Sequence, residues 1–495
     1  MTATSNYERD AMPVEFKLNG RDVAAKGGET IIQVAKRLGI EIPHLCYKEG
    51  LRPDGNCRAC VVEVKGERVL APSCCRQPAK GMEVTTDSPR AVASQKMVLE
   101  LLMSDMPKER HTLKSELDEW AGKLKIGKPR FAPRHGVSAD LSHHGIAVNL
   151  DSCIQCTRCV RACREEQVND VIGYAFRGEH SKIVFDLDDP MGDSSCVACG
   201  ECVQACPTGA LMPATLLDLA GIKAAEPDRK VDSVCPYCGV GCQLTYNVKD
   251  DKLLYVEGRD GPANENRLCV KGRFGFDFVH HPERLTVPLI RRDGVPKNPD
   301  DVIDPANPWT HFRKATWEEA LERAAGGLKR IRDEHGGNAL AGFGSAKGSN
   351  EEAYLFQKLV RTGFATNNVD HCTRLCHASS VAALFEGIGT AAVTAPFTAA
   401  KDAEVIIVIG ANPTENHPVA ATFFKQAAKR GAKLIIMDPR GTAMKRHATH
   451  MLQFKPNKDV AMLNAMLNVI VTEGLYDRQY VEARSEEHTS ELQSH

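Results

Sequence analysis

The chain has 495 residues, 42% of them hydrophobic and 26% charged, and its 63 Lys and Arg against 64 Asp and Glu leave a net charge of -1. That balance excludes a broad electrostatic drive toward nucleic acid or anionic lipid, and no apolar run reaches the ~18 residues of a membrane span. Such a length suggests about three domains. The opening MTATSNYERDAMPVEF has no basic-then-apolar leader and no twin arginine, which reads as no export signal and a cytoplasmic chain. Its 19 cysteines therefore point to metal, since disulfide frameworks suit small secreted domains.

Residues 13–90 begin with VEFKLNGRDVAA, in which residues alternate around Asn19-Gly20, a two-residue hairpin signal. ETIIQVAKRLG follows as a short amphipathic helix with Gly39 as its C′ residue. Next comes Cys46-x10-Cys57-x2-Cys60-x13-Cys74. Four thiolates so spaced can converge on a two-iron cluster, and the hairpin–helix–cysteine-loop order predicts a β-grasp ferredoxin domain. A zinc ribbon is the alternative, and Cys75 competes with Cys74 for the fourth place. Residues 91–145 carry no cysteine. RAVASQKMVLELLMSD predicts a helix, and the charged stretch after it reads as a helix and linker whose basic residues form a solvated face.

Residues 146–220 contain a repeat: Cys153-x2-Cys156-x2-Cys159-x3-Cys163, then Cys196-x2-Cys199-x2-Cys202-x3-Cys206-Pro207. In this pattern the fourth cysteine of each motif ligates the other cluster. Cys153, Cys156, Cys159 and Cys206 are thus expected around one [4Fe–4S] centre, and Cys196, Cys199, Cys202 and Cys163 around another. Zinc sites seldom use doubled x2 triplets. Residues 228–290 hold a further set, Cys235-x2-Cys238-x3-Cys242-x26-Cys269, for which zinc stays open on spacing alone. Here a hairpin through LTYNVKDDKLLYVEG brings the last ligand back. Lys271 follows at once, a cation placed to stabilise a reduced cluster or to reach an anionic cofactor.

From about 310 to 483 the pattern is α/β. Thr316 with Glu319, and Ser349 with Glu352, predict capping boxes at two helix starts. AEVIIVIGANPTENHP and AKLIIMDPRGT read as buried parallel strands of a Rossmann-like sheet. Gly410, Asn412 and Asp438 sit at their C-terminal ends, where such sheets bind ligands. No G-x-G-x-x-G appears in this stretch, so the usual NAD fingerprint is absent.

Cys372 and Cys376, in TNNVDHCTRLCH, belong to no quartet. They fit a zinc pair completed by His371 or His377, buried structural thiols, or a lone thiolate on a soft metal held mainly by a cofactor. The four cysteine sets, CVKG, HPERLTVPLI, TNNVDHCTRLCH, GANPTENHPVA and MDPR together resemble the large subunit of a cytoplasmic, NAD-linked, molybdenum- or tungsten-dependent formate dehydrogenase. The resemblance runs from about Pro13 to Ala483. It implies one [2Fe–2S] cluster, three [4Fe–4S] clusters and a metal held by two molybdopterin guanine dinucleotides. It makes Cys376 the protein ligand to that metal and His377 the neighbouring proton handler. Lys271 would lie between the last cluster and a pterin, and the Gly410–Pro418 loop and Asp438 would contact a guanine dinucleotide. Formate would leave as CO2, and electrons would pass to a flavin/NAD-binding partner subunit in a hetero-oligomer.

Two departures are visible. Many members of that family carry a His/Cys-ligated cluster between the two-iron domain and the paired motifs. This chain has no cysteine from Arg76 to Ser152, and His111, His135, His143 and His144 stand there without a thiolate set. That cluster is expected to be missing, with electrons passing directly between its neighbours or by another route. The last residues, RSEEHTSELQSH (484–495), read as a translated sequencing adapter. They imply a truncated fragment without the family's substrate-binding arginine, inactive toward formate as it stands. The rival functions are a non-catalytic iron–sulfur subunit like that of respiratory NADH–quinone oxidoreductase, and a nitrate reductase-type molybdoenzyme.

Overall fold

β1 (Val14–Leu18) and β2 (Arg21–Ala25) pair antiparallel in a register that sets Leu18 opposite Arg21. The two turn residues must both take positive φ to match strand twist, and Asn19 and Gly20 do so at 50° and 76°. The Asn19 amide also donates to Thr86 Oγ1 at 2.8 Å and accepts from the Thr86 N–H at 2.8 Å, tying the turn to the end of the strand beside β1. α1 (Ile31–Arg37) buries Ile31, Ile32, Val34 and Ala35 against that sheet, and Gly39 follows it at φ 73°. β3 (Val61–Val64), β4 (Ala71–Pro72) and β5 (Glu83–Thr85) complete the order β2-β1-β5-β3-β4, in which β1 and β5 are parallel. This is the β-grasp arrangement, closed over Phe16, Leu18, Val34, Val62 and Val84.

α2 (Pro89–Ser104) starts on Ser88, whose Oγ accepts the Ala91 N–H, and carries proline in its first turn, where the missing N–H costs nothing. α3 (Glu116–Lys123) is capped by Ser115. The two helices are more than a linker. Leu99 and Leu117 are fully buried with Leu45 and Ala59 of the cysteine loop, and Ile154 of the next domain packs on the same cluster. Arg134 departs from the expected solvated face: its Nη2 donates to the carbonyls of Leu150 and Cys153, each at 2.8 Å. Backbone carbonyls of the turn at Cys153 have acceptor capacity left over, that of Leu150 already taking the Cys153 N–H at 3.0 Å, and the guanidinium uses it.

β6 (Ile146–Val148), α4 (Arg158–Arg161), β7 (Ile172–Ala175), β8 (Lys182–Phe185), α5 (Glu201–Ala205) and β9 (Leu211–Pro213) form the repeat domain, with β6 paired to β9 and β7 to β8. A short pair, β10 (Leu217–Asp218) and β11 (Gly221–Ile222), leads to the antiparallel sheet β12 (Arg229–Val234), β13 (Gln243–Lys249) and β14 (Lys252–Gly258). The expected hairpin turns on Asp250 and Asp251, at φ 48° and 59°, and α6 (Val270–Phe274) follows Cys269.

β15 (Leu289–Arg291) pairs with β16 (Phe312–Lys314) ahead of α7 (Trp317–His335). Thr316 caps α7, but the Glu319 carboxylate turns to Arg313 instead of closing the box, because a guanidinium offers more than one backbone N–H. The box of Ser349 and Glu352 at α8 (Asn350–Lys358) is complete. β17 (Gly342–Gly344) and β18 (Val369–His371) pair in parallel, and α9 (Thr373–Cys376) and α10 (Ala378–Ile388) follow.

The chain divides into two compact units between Pro396 and Phe397. In the second, β19 (Val405–Ile409), α11 (Pro413–Asn416), α12 (Pro418–Arg430), β20 (Lys433–Met437) and β21 (His450–Leu452) make a parallel three-stranded sheet, with α13 (Asp459–Thr472) and α14 (Arg478–Arg484) after it. Phe423 of α12, with no exposed surface, fills the core. The reading of β19 as a strand covered on both faces fails: Val408 is buried, but Val405, Ile407 and Ile409 are 56%, 47% and 39% exposed. Among the described residues only one face is covered. The computed structural model describes residues 13–107, 115–134, 136–218, 221–222, 226–304, 306–391 and 395–484, so 485–495 of the tail, His111 and His135 lie outside them. Among the described residues no helix is long and apolar enough to cross a membrane.

Candidate metal centres

The first quartet is built by a loop that must double back on itself. Gly55 and Arg58 take φ of 62° and 61°, turning the loop so that Cys57 and Cys60 meet Cys46. The Cys46 N–H points at Cys57 Sγ (3.4 Å) and the Cys57 N–H at Cys46 Sγ (3.5 Å). Hydrogen bonds from the Cys57 and then the Cys74 thiol pull the Cys46 pKa down to about 2, and one from Cys74 takes Cys60 to about 7. The same contacts, with burial, push Cys57 and Cys74 up. Four thiols so coupled cannot all ionise unless cationic charge is placed among them, which is what a two-iron cluster supplies. Cys74 is fully buried inside this group, whereas Cys75 is exposed, its Sγ 3.6 Å from that of Cys74.

The paired motifs exchange their last cysteines. Cys206 is the charge neighbour of Cys153, Cys156 and Cys159, and Cys163 that of Cys196, Cys199 and Cys202. Burial is the main cause of the rise in Cys153, Cys156, Cys159, Cys196, Cys199 and Cys202, taking Cys153 to about 11 and Cys156 to about 12. The two loops have the same backbone. Gln155 and Thr157 stand at φ 56° and 60°, and their counterparts Ala198 and Gly200 at 53° and 72°. In each loop an N–H reaches the first sulfur, from Gln155 to Cys153 (3.4 Å) and from Ala198 to Cys196 (3.3 Å).

In the fourth set the Cys235 N–H donates to the Cys242 carbonyl at 2.8 Å, and Cys242, buried beside Cys235, Cys238 and Cys269, is raised to about 12. Burial also raises Cys235, while the Lys271 charge opposes that rise. The glycine of CVKG has a steric reason: a Cβ on Gly272 would sit 3.3 Å from Cys235 Sγ. Among the described residues no three His, Cys, Asp or Glu side chains close to single-ion spacing.

Sequence counting missed the charged side chains between the sets. At equivalent places in the repeat stand Arg158 and Glu201, then Arg161 and Gln204. Arg158, 2% exposed, makes a forked pair with Glu116 (2.7 and 2.8 Å) and donates to the Tyr47 carbonyl. Glu201 accepts from the Leu268 N–H (2.9 Å) and from Arg273 Nη2 (2.7 Å). Gln204 Oε1 accepts from the Gly258 N–H (3.0 Å) and from Arg273 Nη1 (2.6 Å). Arg273 Nε also donates to the Cys199 carbonyl at 3.2 Å, so this arginine, four residues after Cys269, grips the second quartet. Gly200 lets it approach: a Cβ there would lie 2.7 Å from Arg273 Cγ. Gly200→Ala is therefore expected to cost about 2–4 kcal/mol, from strain at positive φ plus overpacking. Differential scanning of Gly200→Ala beside Gly122→Ala, where the added methyl meets nothing, measures it. The sign in the sequence was that the two motifs differ in charge at equivalent positions.

Cys376 ends α9 and is exposed, and the half-buried His377 separates α9 from α10, its N–H on the Thr373 carbonyl at 2.7 Å. Cys372 Sγ instead accepts the Ala346 N–H at 3.2 Å, with His371 Nδ1 3.9 Å away. His143 Nδ1 accepts the N–H groups of Gly145 and Ile146, both at 3.1 Å, a turn-stabilising role. In the second unit, Gly410 (φ 59°) and Asp438 follow adjacent parallel strands, and the Gly410 N–H donates to the Met437 carbonyl at 2.9 Å. Asn412 and Asp438 are buried; Asn412 Oδ1 accepts from Thr414, and Asp438 Oδ1 from the Arg440 N–H at 2.7 Å. Such polar groups gathered at the C-terminal ends of parallel strands suit a nucleotide-bearing group.

Comparison with known proteins agrees with this order of sites. Four family descriptions match: a 2Fe-2S iron-sulfur cluster binding domain over 11–89, a 4Fe-4S dicluster domain over 152–210, a molybdopterin oxidoreductase Fe4S4 domain over 228–281, and molybdopterin oxidoreductase over 284–482. A Bacillus subtilis protein provisionally named an oxidoreductase is 31% identical over 94% of this chain and 50% of its own length. A Staphylococcus haemolyticus protein provisionally named a formate dehydrogenase is 31% identical, with the same coverage. A second B. subtilis protein, also provisionally named a formate dehydrogenase, is 30% identical over 96% of this chain and 51% of its own. The chain thus spans about half the length of the curated relatives it matches. In chain order the quartets thus fall within matches to 2Fe-2S, 4Fe-4S dicluster and molybdopterin oxidoreductase Fe4S4 domains, and the α/β portion behind them matches molybdopterin oxidoreductase.

Proposed function

We propose that this chain serves, in the cytoplasm, a formate dehydrogenase that oxidises formate to CO2 and sends the electrons through one [2Fe–2S] and three [4Fe–4S] clusters to a flavin/NAD-binding partner subunit. The observation that carries the reading is the order of four cysteine quartets in front of a molybdopterin portion in which the exposed Cys376 precedes the half-buried His377. A line of clusters is needed only where the electron acceptor is remote, and plant-type two-iron centres work at low potential, about -400 mV, as reduction of NAD requires. The names of two relatives support formate as the substrate.

A molybdenum or tungsten ion held by two molybdopterin guanine dinucleotides supplies, when bound, the two-electron chemistry at formate carbon. The chain's own residues have narrower tasks. Cys376 offers the protein thiolate to the ion. The His377 imidazole holds and passes on the proton released as formate becomes CO2. Lys271, beside Cys235, places positive charge where the fourth cluster gains an electron. Gly410, Asn412 and Asp438 receive a guanine dinucleotide: the glycine permits close approach, and the buried carboxylate accepts hydrogen bonds from base N–H groups.

The test uses the whole enzyme complex as isolated from the cell. Cys376→Ala is expected to abolish formate-dependent dye reduction while the iron–sulfur EPR signals under dithionite persist. Formate oxidation surviving that change removes Cys376 from the mechanism.

A further inference from the structure

The two-iron domain meets the first four-iron motif through one buried cation. Arg161 is 3% exposed. Its Nη2 donates to the Cys46 carbonyl at 2.6 Å and to the Cys156 carbonyl at 3.2 Å, so one nitrogen touches the backbone of a cysteine from each quartet. Nη1 donates to the Arg52 carbonyl, and Nε lies 3.3 Å from Asp54 Oδ2. Two further contacts close the same seam: Thr157 Oγ1 donates to Asp54 Oδ2 at 2.7 Å, and Asn56 Nδ2 to the Gln155 carbonyl at 2.9 Å. Burying a guanidinium costs several kcal/mol unless partners surround it. No cysteine lies between Cys75 and Cys153 to supply a further thiolate-held station.

We propose that Arg161 is the strut of direct electron transfer between the two-iron quartet and the first four-iron quartet, a positioning residue that sets their separation and makes the seam electropositive. The inference rests on the iron–sulfur reading above. The fork of donors holds both cysteine carbonyls in one geometry, which a flexible ammonium does less well. Its charge lies between two centres that each become more negative on reduction, so it stabilises an electron on either side. Arg273 makes the comparable grip at the next junction, from the helix after Cys269 to the Cys199 carbonyl, so the device occurs twice in one chain.

The test compares wild type, Arg161→Gln and Arg161→Lys in the isolated enzyme, with iron and sulfide analysis to show that the clusters are present. In reduced wild type the two-iron EPR signal should relax fast, coupled to the neighbouring reduced four-iron centre. In Arg161→Gln the ratio of coupled to uncoupled two-iron centres should fall about tenfold, the worth of one charge-assisted hydrogen bond, and the signal should saturate at lower microwave power with unchanged iron content. Arg161→Lys keeps the charge and should fall between, so it serves where the glutamine variant loses its clusters. Both signals present with coupling unchanged in either variant overturns the strut and leaves the cluster reading standing. Wild type without iron–sulfur signals overturns both.

Discussion

Cys206→Ala should erase the four-iron centre whose other three ligands, Cys153, Cys156 and Cys159, lie more than forty residues upstream, and leave intact the one formed by its own motif. Cys163→Ala should do the reverse. The expectation follows from which thiols raise one another: Cys206 acts on the upstream triplet and Cys163 on the downstream one. Three thiolates hold a cluster poorly, and a desolvated thiol without its metal stays protonated. EPR with iron analysis reads the outcome, because each variant should lose one cluster's iron and one distinct signal. Loss of the signal from the mutated motif itself would reverse the assignment.

Leu117→Ala should cost about 2–5 kcal/mol through transfer and cavity terms, a large share of the 5–15 kcal/mol typical of a domain. The side chain has no exposed surface and sits among Leu45, Ala59 and Leu99, with Cys57 and Ile154 against the same cluster. Leu45 and Ala59 adjoin the quartet members Cys46 and Cys60, and Ile154 adjoins Cys153. A void there loosens two cysteine loops at once. The measurable results are a lower midpoint of thermal unfolding and faster loss of the two-iron absorbance in air. Leu141→Ala, at a residue 66% exposed, should stay within about 0.5 kcal/mol of wild type.

What could be read from the residues was whatever depends on close sequence neighbours. Asn19-Gly20 specifies its turn because few other pairs tolerate positive φ twice. The triplets specify their loops because x2 spacing leaves the chain few ways to aim three sulfurs at one point. The Gly of CVKG has a long-range cause, since Cys235, far upstream, is what it must clear. What escaped the sequence was decided at long range. Arg134 reads as a surface cation until the carbonyls of Leu150 and Cys153 arrive beside it. Glu319 fits a capping box until Arg313 competes for it. The hydrophobic run of β19 reads as two-sided burial, yet Val405, Ile407 and Ile409 remain exposed among the described residues, because composition records the demand for cover and not its source.

The repeat carries a consequence for how the domains find their order. A duplicated module begins as two interchangeable sockets. Here one copy offers hydrogen-bond donors, Arg158 and Arg161, to the carbonyls of the β-grasp loop, and the other offers acceptors, Glu201 and Gln204, to donors from the fourth-set domain. An exchanged neighbour would bring carbonyl against carboxylate on one side and guanidinium against guanidinium on the other. The tandem is thereby keyed, and its two ends are told apart even though the cysteine loops share their positive-φ turns.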